Sequence, residues 1–270
     1  RTATRAYGAS PVRAVPSGTV AYIAAGMRQA TTTDTNALSR DELVELGRSL
    51  RADVPRSSHA DTVRGRTPVE ALAVIDATNA TRLDDLVPVR WARMASSAFG
   101  FFRGAPAVMA ADLAGTGVTG IRPQLCGDAH VANFGLFATA ERRLTFDLND
   151  FDETLAGPFD WDVKRLAASV VVASRAAGHP EPAARAAAAA AVIGYARRAR
   201  ELSDMTPMEI WYLHTDVDAA GAQASADVRP VISRAARKAR GRTHLQALEK
   251  LTAVVDGRPH IVEEDRESVV

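Results

Sequence analysis

Cys126-Gly-Asp-Ala-His-Val-Ala-Asn-Phe-Gly135, followed by Asp147-Leu-Asn-Asp-Phe-Asp-Glu153, is the stretch on which the reading of this chain turns. Asp128 and Asn133 stand five apart, the offset at which kinase-type catalytic loops place the Asp that accepts a hydroxyl proton and the Asn that holds a metal ion. Phosphoryl transfer needs both kinds of group. One orients the nucleophile, and others hold the magnesium that neutralises charge developing on the phosphate oxygens. Asp128 is therefore the candidate base and Asn133 the first candidate metal ligand. Asp147, Asp150 and Asp152 crowd three carboxylates into six residues, an arrangement that repels itself unless a cation, a basic side chain or solvent offsets the charge. His130 completes the catalytic set, as a partner that braces the loop more than as a base.

Outward from the motif the chain reads as helices with a few short strands. Ser39 with Glu42 is a capping box opening a helix to about Arg51, closed by Pro55. Thr67, Pro68 and Glu70 open another to about Asn79. Leu86 to Met94 and Phe99 to Leu113 carry further apolar faces. Gly115-Thr-Gly-Val-Thr-Gly120 spells G-x-G-x-x-G, but a helix precedes it and a strand, Ile121 to Leu125, follows. That order is the reverse of a dinucleotide fingerprint, so an ordinary glycine turn is expected. Val131 to Phe137 and Leu144 to Leu148 are predicted strands of a hairpin. Trp161 to Ala177 is a predicted helix with Val163, Leu166, Val170 and Val171 on its apolar face, and Pro182 to Leu202 an Ala-rich one. Thr206 and Pro207 start another. Ser233 to Arg242 is the one basic block and reads as a solvated helix face, since no aromatics interleave with it. Leu251 to Val262 reads as a hairpin turning at Asp256-Gly257.

Composition sets the outer limits. The 270 residues are 47% hydrophobic with net charge +1, enough to bury one sizeable core or two small ones. That balance gives no pull toward nucleic acid or membrane, and no apolar run reaches the roughly 18 to 20 residues of a span. The single cysteine, Cys126, excludes an internal disulfide and fits a reducing cytoplasm. Residues 1–37 are rich in Thr, Ser, Ala, Gly and Arg without periodicity and are expected to be poorly ordered; residues 38–270 carry the folded part. The chain begins at Arg1 rather than Met, from which a processed, trimmed or mis-started N-terminus is expected.

Several stretches also carry a family resemblance: Arg90-Trp-Ala-Arg-Met94, Phe101-Phe-Arg-Gly-Ala105, Met109-Ala-Ala-Asp-Leu113, Gln124-Leu-Cys-Gly-Asp-Ala-His130, Asn149-Asp-Phe-Asp-Glu-Thr154 and Trp161-Asp-Val-Lys-Arg-Leu-Ala-Ala168. Together, over roughly Leu38 to Val262, they resemble the bacterial domain-of-unknown-function family 2252. The motif block in turn resembles aminoglycoside and choline phosphotransferases, whose loop reads H-G-D-x-H-x-x-N before a strand ending in D-F or D-W; Cys126 occupies the place of the first His. The resemblance implies a mainly helical α+β fold, the C-lobe of a kinase-like domain, with a small hairpin at the catalytic loop and without a nucleotide-binding N-lobe. It implies ATP and magnesium or manganese as cofactors and an unspecified small-molecule or protein acceptor. It favours Asp150 over Asp147 as second metal ligand, because Asp162, the Asp heading the next helix, lies twelve positions after Asp150. Asp147 stays a rival, since it shortens an otherwise long hairpin. Asp162 is expected to tie its helix to the loop, and Arg103 and Lys164 to meet phosphate or pair with carboxylates. Relatives continue past the equivalent of Val270 into a Gly-rich turn and a Lys-bearing strand, so a truncated, weakly active kinase is expected.

Two other classes of function stay open on the residues. A metal-dependent phosphoester hydrolase would use Asp128, His130, Asp147 and Asp150 around one or two cations. A non-catalytic nucleotide-binding scaffold would need none of them for chemistry.

Overall fold

In the computed structural model of this chain, residues 38–60, 65–241, 248, 251–255 and 257–262 are described. Two capping boxes open its first helices. The Ser39 hydroxyl accepts the Glu42 backbone N–H while the Glu42 carboxylate accepts that of Ser39, so α1 (Arg40–Asp53) begins where the sequence predicts. It ends at Val54, just before Pro55. Thr67 and Glu70 repeat the arrangement at α2 (Pro68–Asn79). The predicted segment 1–37 lies outside the described residues.

After α3 (Val87–Ala95), the stretch predicted as one helix is two, α4 (Ala98–Gly104) and α5 (Pro106–Leu113). Pro106 has no N–H to donate and disfavours helical geometry in the residue before it; Ala105 stands at φ −122° and ψ 43°. The break brings Ala105 beside Met94 and Ile75 in a buried cluster, with Trp91 and Val108 packed on it. Residues 114–120 are turn and irregular chain, as the glycine pattern predicts. The next strand is shorter than expected: β1 covers only Gln124–Leu125. Val131–Asn133 is a 3₁₀ turn rather than strand, because Asn133 N–H bonds back to the His130 carbonyl at 2.8 Å.

The hairpin then begins as β2 (Phe134–Ala138) and β3 (Leu144–Leu148), paired antiparallel with Phe134 opposite Leu148 and Gly135 opposite Asp147. β4 (Leu155–Ala156) pairs antiparallel with β1. α6 (Asp160–Ala176) and α7 (Glu181–Ser203) follow. The apolar stripe of α6 is half-buried, and the fully buried residues of the helix are Asp160, Trp161, Arg165 and Ser169, which the apolar pattern does not single out. Beyond it come α8 (Pro207–Trp211), α9 (Val217–Gln223) and α10 (Arg229–Gly241), which holds the described part of the basic block, and the hairpin of β5 (Thr252–Val255) and β6 (Arg258–Ile261). Asp256 of the predicted turn lies outside the described residues.

The result is a mainly helical α+β chain with small two-stranded antiparallel sheets. It divides into two compact units, Arg1–Asn133 with Asp150–Arg200, and Phe134–Asn149 with Glu201–Val270. In the first, Ala110, Leu113, Leu125 and Trp161 form a buried cluster where α5, β1 and α6 meet, directly under the 126–133 loop. In the second, the β2–β3 hairpin stacks Phe134 on Phe146, and Arg143 pairs with Asp216 at 3.3 Å. No described helix is long and apolar enough to cross a membrane.

Candidate functional site

The loop 126–133 has little regular structure of its own, so its backbone donors need partners from elsewhere. α6 supplies them from one stripe. Asp162 accepts the N–H of Cys126 at 2.7 Å and of Gly127 at 3.1 Å. Arg165 donates from Nε to Asp128 Oδ1. The Ser169 hydroxyl accepts the N–H of Val131 at 3.0 Å and donates to the Leu166 carbonyl. Positions 162, 165 and 169 are spaced i, i+3 and i+7, which places them on one face of a helix. This is why the polar side of α6 is the buried one. Asp162 ties the helix to the loop as its position predicts; Arg165 and Ser169 carry functions that sequence reasoning missed.

Arg165 is 3% exposed and fully engaged. Besides Asp128 it donates to the Phe102 carbonyl at 2.8 Å, its guanidinium lies over the Phe102 ring at 4.4 Å, and it approaches Met109 Sδ at 3.8 Å. It therefore fixes one carboxylate oxygen of Asp128. The other, Oδ2, stands 3.6 Å from His130 Nε2, too far for a hydrogen bond, and keeps its accepting capacity.

His130 is buried, with the ring of Phe99 edge-on at 6.2 Å and with Nδ1 lacking any hydrogen-bond partner among the described residues. Burial pushes its imidazole below the ordinary 6.5, the Asp128 carboxylate opposes that, and the charges of Arg165 and Arg103 reinforce it. The unfolded chain thus takes up a proton before the folded chain does. The stability contributed by keeping His130 neutral is complete above 6.5 and falls as pH drops from there through the lower folded value. Wild-type stability should decline more steeply below pH 6.5 than that of His130→Asn, measured by urea unfolding across pH 5 to 8. Parallel curves would show that His130 is not a buried neutral group.

Asn133 is the hub of the loop. It is 5% exposed, and its amide nitrogen donates to the Asp128 and Asp150 carbonyls, each at 3.1 Å, with Cys126 Sγ at 3.5 Å. Carbonyl oxygens on that side fix which end of the amide is nitrogen, so Oδ1 turns the other way and is available as a ligand. The Cys126 thiol donates to the Asp150 carbonyl at 3.4 Å. Burial pushes that thiol up, which makes it a hydrogen-bonding brace rather than a nucleophile. Burial likewise raises Asp162, while the Cys126 and Gly127 N–H groups pull it back.

Of the predicted residues, Asp128, His130, Asn133 and the Asp150 backbone come together around this loop. The Asp150 side chain is exposed and accepts the Asp152 N–H at 3.1 Å; Asp152 is exposed as well. Asp147 belongs to the other unit, on β3, exposed, with its carboxylate accepting the N–H of Leu148 at 2.8 Å. Lys164 pairs with Asp160 at 2.8 Å, and His59 lies 3.6 Å from the same oxygen. Arg103 is exposed and makes no hydrogen bond or ion pair among the described residues.

Among the described residues no three His, Cys, Asp or Glu side chains converge as a metal-holding group. What the loop offers a cation is an amide oxygen and a nearby carboxylate. Those are hard oxygen donors, and two of them suit magnesium, which completes its shell with water and phosphate.

A family model described as "Uncharacterized protein conserved in bacteria (DUF2252)" matches residues 82–269. No curated protein and no solved structure matches the chain.

Proposed function

The chain belongs to the bacterial DUF2252 family, and on that premise we propose that its 126–133 loop is a kinase-like phosphotransfer site, using ATP with magnesium or manganese and acting on an acceptor hydroxyl. The observation that carries the reading is the seating of Asn133. One buried amide joins the backbone of the candidate base, Asp128, to that of the candidate metal carboxylate, Asp150, and is left with a single oxygen to offer.

In this reading Asp128, held by Arg165, accepts the acceptor's proton on Oδ2. Asn133 and Asp150 hold the cation, with Asp147 of the other unit as the rival to Asp150, and Asp152 orients Asp150 through its N–H. When bound, the cation neutralises charge on the transferring phosphate. Fixing Asp128 and Asn133 on a loop tied to a helix in advance lowers the cost of ordering them at the moment of reaction. The hydrolytic alternative asks Asp128 and His130 to turn to a metal, whereas Asp128 is held by Arg165 and His130 is buried against Phe99. A nucleotide-binding scaffold could use the same Asn oxygen, but it gives no role to an Asp128 carboxylate fixed through one oxygen and open at the other.

Thermal unfolding of the full chain tests the proposal. Magnesium with ATP should stabilise it, and Asp150→Asn should weaken that stabilisation by on the order of 1 kcal/mol or more, while Asp147→Asn does less. The reverse ranking transfers the ligand role to Asp147. No response to metal, with or without nucleotide, would remove the proposal and leave the carboxylates structural.

A further inference from the structure

α4 brackets Asp128 from one side. Phe99 sets its ring edge against His130, and Phe102 offers both its carbonyl and its ring face to Arg165. His130 and Arg165 are in turn the two side chains that flank the Asp128 carboxylate. Arg103 follows Phe102 and lies one helical turn beyond Phe99, so it shares the face of α4 that meets the loop. Unlike its neighbours it is exposed, and it has no ion pair or hydrogen bond among the described residues.

Arg165, Arg90, Arg66, Arg175 and Arg185 all spend their donors on named oxygens of the first unit. A guanidinium has five donors in a planar fork suited to phosphate or carboxylate. Its charge reaches the loop, since it adds to the forces that keep the buried His130 neutral.

We propose that Arg103 is an oxyanion-binding residue of this site, receiving a phosphate or carboxylate group beside the open oxygen of Asp128. The inference rests on the phosphotransfer reading for which group this is, the terminal phosphate of the nucleotide or an anionic group of the acceptor. The anion site itself does not depend on that reading.

Inorganic phosphate, ATP and ADP are the probes, with the full chain and thermal unfolding plus titration calorimetry as readouts. Millimolar inorganic phosphate should stabilise the parent. Arg103→Ala should weaken its apparent affinity about tenfold or more, the order expected for charge-assisted hydrogen bonds, and Arg103→Lys should keep part of it. Arg237→Ala, on the basic face of α10, should keep all of it. Because Arg103 is exposed, its loss should leave the unliganded unfolding temperature unchanged. With magnesium present, a weaker response to ATP but not to ADP assigns the terminal phosphate. Unchanged responses to both nucleotides, with the phosphate response lost, assign the acceptor. A phosphate response that survives Arg103→Ala, that moves to Arg237→Ala, or that the parent lacks overturns the proposal. An Arg103-dependent phosphate response without any response to magnesium and ATP would keep the anion site and discard the phosphotransfer reading.

Discussion

Gly127→Ala will destabilise the unit that carries the loop by on the order of 4 kcal/mol or more, enough to leave it largely unfolded if its stability is ordinary. Gly127 has φ +83°, a region that costs a residue with a Cβ roughly 1 kcal/mol or more before any contact is considered. The larger cost is steric. A Cβ at this position would overlap the carbonyl oxygen of Glu153 and stand 2.6 Å from its carbon, and both atoms are backbone. The loop cannot readily retreat, because Asp162 holds the successive backbone N–H groups of Cys126 and Gly127. Urea unfolding of the variant beside the parent measures the effect. A loss below about 1 kcal/mol would mean that the loop is free to shift away from Glu153.

Arg165→Met should cost about 3 kcal/mol, at the lower end of what breaking a buried ion pair usually costs, because the Asp128 side chain is 20% exposed and water can partly replace the guanidinium. Methionine keeps most of the volume, so the loss reports charge and hydrogen bonding rather than a cavity. Two groups are left in need: the Asp128 carboxylate and the Phe102 carbonyl. Adding Asp128→Asn to Arg165→Met should recover about 1 kcal/mol or more, since the stranded charge is gone. Strictly additive costs in the double variant would show that the two side chains do not depend on each other.

These two residues also mark where reading from sequence succeeds and where it stops. The starts of α1 and α2 were legible because a capping box is settled within four residues and needs no tertiary partner, and that of α8 because Thr206 stands before Pro207. The grouping of the loop residues was legible because the Asp128 to Asn133 spacing is itself a local fact, and Asn133 does sit against the Asp128 and Asp150 backbones. The split between α4 and α5 at Pro106 was missed, because the apolar pattern runs on across it. The facing of α6 was not legible either. Periodicity selects the apolar stripe, Val163, Leu166, Val170 and Val171, whereas the buried surface of that helix is set by what the loop needs: acceptors for three N–H groups and a cation for Asp128. The signal that pointed to it was the polar run Asp162, Arg165 and Ser169 at helical spacing, three residues whose individual types all favour solvent.

The same stripe constrains how this chain can change in length. One residue inserted or deleted between Asp162 and Ser169 rotates everything beyond it by about 100° and shifts it by about 1.5 Å along the axis. Each of the three anchors answers a different residue of the loop, so no sliding of the helix restores all of them at once. Loop and helix are thus locked like a key and its wards. Substitutions on the outward side of α6 leave these anchors intact, whereas an insertion or deletion within that interval should break at least one of them.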